Sequence, residues 1–268
     1  MASTAPDRTP ARQSPLALVA GWIKGWWRVI FFGAQIMVLA LSPTSYRKPM
    51  RGRMASQIVL STVPVLLWFT LLSAVVTLVL TRIVVVTALS YGLSQYALQV
   101  VIRVLVLELI PLSAALFVAL RATIASSAEL SELRSSGALQ ALQDRGIDPV
   151  RHEALPRVVA GVFASITLAA LSCVVALVLA YVAVYGFTAS ALPAYTRLFG
   201  QVFSPAVTLI FVLKTVFFSL AVSVMPMASA LYDSSPGRTQ HSAELRALAR
   251  MFVVIVLIEL GALVGNYY

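Results

Sequence analysis

Charge is what this sequence has least of. Only 11% of its 268 residues are Asp, Glu, Lys or Arg, and 60% are hydrophobic. A soluble domain of this length has to wet its surface, so the composition excludes one. Cysteine is limited to Cys173, which lies inside an apolar run. That excludes an intrachain disulfide and leaves a small buried hydrophobe as its expected role. Histidine is as scarce. His152 and His241 stand in separate polar segments with no Cys or second His nearby, so no metal site is expected. No GxxxxGK[ST] phosphate loop occurs, so the chain has no P-loop means of holding ATP. No Ser–His–Asp set is suggested by any motif, and no internal repeat points to an inverted-repeat transporter. Acidic residues number 10 against 20 basic ones, but the basic residues are scattered among loops rather than gathered on one face. That distribution argues against nucleic acid and for membrane orientation.

Long apolar runs are what the sequence does have. Five of them, at about residues 58–86, 95–127, 158–187, 205–231 and 245–264, are long enough to cross roughly 30 Å of hydrocarbon at about 1.5 Å per residue. The expected fold is therefore an all-α polytopic membrane protein, with residues 58–268 forming its transmembrane domain. The second run would be close to 50 Å long and should protrude beyond the lipid. Residues 1–15 are polar and Pro-rich and read as a disordered tail. A cleaved signal peptide is not expected, because Lys24 and Arg28 interrupt the apolar stretch that follows.

Residues 16–57 read as an interfacial helix followed by a basic cytoplasmic loop. Trp22, Trp26, Trp27, Lys24 and Arg28 lie together, the mark of aromatic rings and snorkelling cations at the headgroup level. A true span is the competing reading. Basic residues on both flanks disfavour it, since crossing would put one group on the wrong side. Lys and Arg count eight in the N-terminal region, four in the hairpin between runs two and three, and three between Tyr232 and Arg250. The opposite side holds Arg197, with Arg82 and Arg103 near it. Under the positive-inside rule the N-terminus and hairpin are cytoplasmic and Tyr268 lies on the far side.

The hairpin carries a short amphipathic segment, about residues 132–146. Leu133, Ala138, Leu139, Ala141 and Leu142 recur near helical spacing, with Arg134, Gln140, Gln143, Asp144 and Arg145 between them. Gly146 is a C-terminal stop, and Pro149 prevents renewed helix before Val150. From pattern alone this is either a docking surface or a solvated connector lying on the headgroups.

Charges inside the apolar runs cost on the order of 2.5–3.5 kcal/mol each at the bilayer centre, so they face a cavity or a partner. Counting about 1.5 Å per residue puts Arg103, Glu108, Lys214 and Glu259 roughly 10–20 Å from the far-side end of their spans. A net-neutral polar cluster is expected there, with Lys214 pairing either Glu259 or Glu108. Pro111 lacks an N–H and so frees the carbonyl of Leu107 beside Glu108. Arg121 lies too far along the same helix to reach Glu108; leaflet phosphates or Glu129 are its expected partners.

The wording of this central region is specific. Glu108-Leu-x-Pro111, Arg121, Ala128-Glu129-Leu130, Ala141-Leu142, Gly146-Ile-Asp148-Pro149-Val-Arg151 and Leu155-Pro156-Arg157 occur in that order along one stretch. The chain resembles the permease family of MCE-type lipid ABC transporters, the MlaE/YrbE-like proteins, most clearly over runs two and three. The resemblance implies a permease subunit in a bacterial inner membrane, C-terminus periplasmic, moving phospholipid or a similar apolar lipid. It implies a second permease copy, a periplasmic MCE-domain protein, and a separate ATPase subunit that supplies ATP and Mg, with no cofactor on this chain. It makes residues 132–146 a coupling helix, with Glu129, Arg134, Leu139, Leu142, Gln143, Asp144, Arg145, Gly146, Asp148, Pro149 and Arg151 at the ATPase. It sets Glu108 near the substrate cavity, with Pro111, Arg103, Lys214 and Glu259 as its polar surroundings. The sequence departs from the family pattern at Gly137 and Ala138, where an acid and an amide are usual, and at Leu107, where Arg is usual. Ala122 and Thr123 also replace the small glycines common after Arg121. Gly137 is expected to weaken the coupling helix by roughly 0.5–1 kcal/mol. The alternatives are a scaffold subunit that has lost coupling, or an ion-coupled transporter using Glu108, Lys214 and Glu259.

Overall fold

The computed structural model describes residues 15–46, 48–232 and 240–267, so the expected N-terminal tail lies outside the described residues. Among them there is helix and no strand. The elements are α1 (Pro15–Leu41), α2 (Lys48–Ser90), α3 (Ser94–Val101), α4 (Ile110–Val118), α5 (Ile124–Ser135), α6 (Ala138–Asp144), α7 (Leu155–Tyr185), α8 (Leu192–Val202), α9 (Pro205–Tyr232) and α10 (Gln240–Tyr267). Wider π-helical turns at Ile102–Leu109 and Ala119–Thr123 join α3, α4 and α5 into one rod, and a third, Val150–Ala154, leads into α7. Backbone hydrogen bonds are thus satisfied within each segment, as hydrocarbon requires.

Six helices are long and apolar enough to cross a membrane, one more than the five spans expected. The sixth is Ile23–Leu41 of α1. It packs on the hairpin side and along the bundle's flank. Arg28 donates to the carbonyl of Tyr232 at 3.1 Å, Phe32 meets the Tyr232 ring edge-on, and Gly33 abuts Val224. Phe32 and Ile36 share a core cluster with Leu130, Leu139, Leu155 and Val158. These partners lie towards the hairpin-side ends of α5, α7 and α9, with α6 beside them, while Trp26 and Val29 pack further along, beside Phe218 and Ile255. Trp27 is 71% exposed on its outer face, and Lys24 and Arg28 are exposed too. The Trp22 side chain lies outside the described residues.

Other boundaries move. The basic loop expected before the first span is helical from Lys48 onward: Pro49 is tolerated in a first turn, and the one remaining helix-weakening residue, Gly52, costs only about 1 kcal/mol. The expected loop 188–204 contains α8, whose Tyr195 is buried and donates its hydroxyl to the carbonyl of Leu177 at 2.9 Å.

Helices α2, α7 and α9 form the centre, with α7 touching both others extensively. The face of α7 is built of small residues: Ala160, Gly161, Ala164, Ser165, Ala169, Ser172, Cys173, Ala176 and Ala180 are all buried. Small side chains let helix backbones approach closely where lipid offers no hydrophobic drive to associate. The closest approach is at Gly161, where an added Cβ would stand 2.6 Å from the Ser223 hydroxyl of α9. Cys173 is buried, as expected, with its thiol 3.6 Å from the carbonyl of Val106.

Candidate functional site

Lys214 sits in the middle of α9 with its side chain 1% exposed. An ammonium that deeply buried requires compensation, and three groups supply it. It pairs with Glu108 from the rod and lies 2.8 Å from a Glu259 carboxylate oxygen on α10. It also donates to the main-chain carbonyl of Leu107 at 3.3 Å. Pro111, four residues on, has no N–H to offer that carbonyl. Asn266, near the end of α10, donates to the other Glu108 oxygen at 3.4 Å. Lys214 therefore takes both of the acids between which the sequence leaves a choice, and ties the rod, α9 and α10 together. When all three groups are ionised, two carboxylates face one ammonium. Glu108 and Glu259 remain 14% and 19% exposed, so the cluster is sealed on the lysine side and open on the acid side.

Arg103 does not join the ion pairs. Among the described residues it has no partner, and its Nε is buried without an acceptor. The π-helical turn explains its placement. Partly exposed positions along the rod run 103/104, 108/109, 112/113, 116/117 and 120/121. The step from 103 to 108 is five residues, which an α-helix would rotate to another face and a π-helix keeps in line. Arg103 and Glu108 thus share one stripe because of a backbone feature that hydropathy does not reveal.

At the hairpin, α5 ends at Ser135 and α6 begins at Ala138, with Gly137 between them at φ +76°. The expected single helix over 132–146 is corrected to two, and Gly137 is not a weak point within a helix. It occupies a left-handed conformation that costs other residues roughly 1–2 kcal/mol. Gly146 closes α6 in the same way at φ +74°, donating to Gln143 while Ile147 donates to Leu142. Asp148 then caps the next turn by accepting the Val150 N–H at 3.0 Å, with Pro149 between them.

The sides of α6 are unequal. Leu139 is buried and Leu142 packs beside it against the chain's own core. Arg134 is turned inward too, donating to the carbonyl of Ala230 at 3.2 Å. The outward surface is Gln140, Ala141, Gln143, Asp144 and Arg145, with Ile147 as an apolar tip and Asp148 beside it. Of the expected coupling residues, then, Leu139, Leu142 and Arg134 hold the hairpin in place, and the polar ones face out.

A second charge network joins the base of the hairpin to α2, and sequence reasoning missed it. Glu153 binds Arg157 at 2.6 Å with one oxygen, and Arg53 at 3.2 Å and His152 at 3.1 Å with the other. Glu129 approaches Arg157 at 3.7 Å from a position 63% exposed, so the expected Arg121–Glu129 contact is not made. Arg121 is exposed and partnerless among the described residues. The spacing of Glu153 and Arg157, one helical turn apart, was the available signal; Arg53, 100 residues away, had none.

An apolar helical bundle with a charge cluster sealed within it and a braced polar hairpin at one end defines a multi-pass membrane protein of the permease class. The chain matches the family model Permease MlaE over residues 54–263, most of its length, and belongs to that family. It is accordingly a permease subunit of an ABC transporter, and not itself an enzyme. A comparison with the curated proteins found no match.

Proposed function

We propose that this permease moves phospholipid or a similarly apolar lipid between a bacterial inner membrane and a periplasmic carrier. It works as one of two permease copies, with an ATPase below and an MCE-domain protein above. The observation that carries the reading is the construction of α6. Its apolar side is fixed to α1, α5 and α7 through Leu139 and Leu142, and its polar side is left outward. A push on Gln143, Asp144 or Arg145 is therefore transmitted to the rod and α7 rather than absorbed in a loop. The Lys214–Glu108–Glu259 cluster links the far halves of the rod, α9 and α10. In this reading movement of the rod re-shapes the polar stripe of Arg103 and Glu108, where a headgroup would sit. The N-terminus and hairpin are cytoplasmic and the C-terminus periplasmic, in keeping with the distribution of Lys and Arg.

The test is co-purification in detergent with the cognate ATPase, comparing the natural chain with Asp144→Arg/Arg145→Glu. Both positions are exposed, so the exchange leaves the core intact. Binding in the natural chain and its loss in the variant are expected. Absence of an ATPase from the natural complex would reject the reading.

A further inference from the structure

A polar pocket of about 230 Å³ lies between the start of α2 and the start of α7. Arg53, Ser56, Gln57, His152, Glu153, Pro156 and Arg157 line it. Its depth is set by the sequence. Gln57 is followed by Ile58 and Arg157 by Val158, and from those positions both helices run into apolar sequence. The pocket therefore sits where helix leaves water for hydrocarbon, at the level of lipid headgroups on the hairpin side.

The lining has more donors than acceptors. Glu153 is the one carboxylate in it, and both of its oxygens are already engaged, by Arg157 on one side and by Arg53 and His152 on the other. Arg157 is 9% exposed, yet its Nε is buried with no acceptor. Among the described residues the side chains of Ser56 and Gln57 make no hydrogen bond. Arg53, half-exposed at the rim, keeps N–H groups beyond its Nη1, which lies beside Glu153 and His152 Nδ1. A buried donor without an acceptor costs about 1–3 kcal/mol, so a ligand rich in acceptor oxygens is favoured here. Two guanidinium groups and one carboxylate line the pocket, with Glu129 as a second carboxylate 3.7 Å from Arg157 outside the lining. Glu129 touches Arg157 only from the water side.

We propose that this pocket binds the phosphate of a phospholipid headgroup from the adjoining leaflet. Arg157 Nε, Arg53, Ser56 and Gln57 would donate to its oxygens. Guanidinium-to-phosphate bonds are charge-assisted and are the strong class of such contacts. The bound lipid pins the start of α2 to the start of α7, beside the hairpin. The site is separate from the Lys214 cluster and does not depend on what the permease transports.

The experiment uses the full chain, delipidated in an uncharged detergent, and measures binding of dioctanoylphosphatidic acid by titration. Dioctanoylglycerol and inorganic phosphate are the two comparison ligands. Saturable binding of the phosphatidic acid is expected, with no binding of the diacylglycerol and much weaker binding of free phosphate. In Ser56→Ala/Gln57→Leu the affinity should fall about tenfold or more, because two donors to the phosphate are lost. Should that variant fold poorly, Arg53→Gln gives the same reading from the exposed rim. Equal affinity in the natural chain and both variants would overturn the proposal. So would diacylglycerol binding as tightly as the phosphatidic acid, and free phosphate doing so would make this an anion site without a lipid.

Discussion

Lys214 donates at 3.3 Å to the carbonyl of Leu107, an acceptor to which Pro111 has no N–H to offer. A proline four residues on in one helix and a lysine from another thus meet at a single oxygen, alongside Glu108. The lysine satisfies in one place a backbone group and two carboxylates that hydrocarbon cannot.

Removing the cation should therefore cost more than removing the cluster. Lys214→Met leaves Glu108 and Glu259 without their ammonium, and breaking a buried pair typically costs about 3–5 kcal/mol. Adding Glu108→Gln and Glu259→Gln to it should restore much of the loss. Survival of the folded fraction on heating in detergent, followed by size exclusion, measures this. Equal loss in the single and triple variants would show that the charges do not stabilise one another.

Close packing of α7 on α9 makes a second prediction. Gly161→Ala sets a methyl group 2.6 Å from the Ser223 hydroxyl and 3.2 Å from its Cβ. Overpacking of this kind costs about 1–3 kcal/mol. Ser223→Gly in the same chain should recover most of it, read in the same heating assay. A neutral Gly161→Ala would mean the helices separate freely there.

Two glycines should respond to alanine with opposite signs. Gly137→Ala forces a left-handed residue with a Cβ and should destabilise by about 1 kcal/mol or more. Gly52 lies in α2 with nothing within 4 Å of an added Cβ. Gly52→Ala should stabilise by about 0.5–1 kcal/mol through helix propensity. Hydrogen exchange of α6 and of the start of α2 would read each locally, and faster exchange in both would contradict the assignment.

The hydroxyl of Tyr195 is the polar anchor of α8. Tyr195→Phe removes its bond to the Leu177 carbonyl and should cost about 1 kcal/mol. Amide exchange across Leu192–Val202 should accelerate while that of α9 stays unchanged. No change in α8 would mean that apolar packing alone holds it.

Much of this architecture is written along the chain. Apolar run length marks the spans, and Gly146 and Pro149 end the hairpin helix as glycine and proline do anywhere. That Pro111 offers the Leu107 carbonyl no N–H follows from the sequence alone. The charge layer was legible too, since Arg103, Glu108, Lys214 and Glu259 have no business in hydrocarbon without a purpose. Gly137 misled because helix propensity assigns a residue its cost inside a helix, and the residue stands outside one. Leu139 and Leu142 were legible as apolar but not as inward-facing, because an amphipathic pattern does not say which body covers its apolar side. The π-helical register of Arg103 and Glu108 had no sequence signal that hydropathy could carry.

By itself the sequence determined that this is an all-α membrane protein with a polar hairpin and a handful of embedded charges. Hydropathy, turn chemistry and the energy of burying charge are local properties, and each can be read one segment at a time. Tertiary structure alone decided that Lys214 takes Glu108 and Glu259 together, that α6 turns its leucines inward, and that Arg53 meets Glu153 across the bundle. Those outcomes depend on how near the helices come. Between α7 and its neighbours small residues allow that nearness, as where Gly161 meets Ser223.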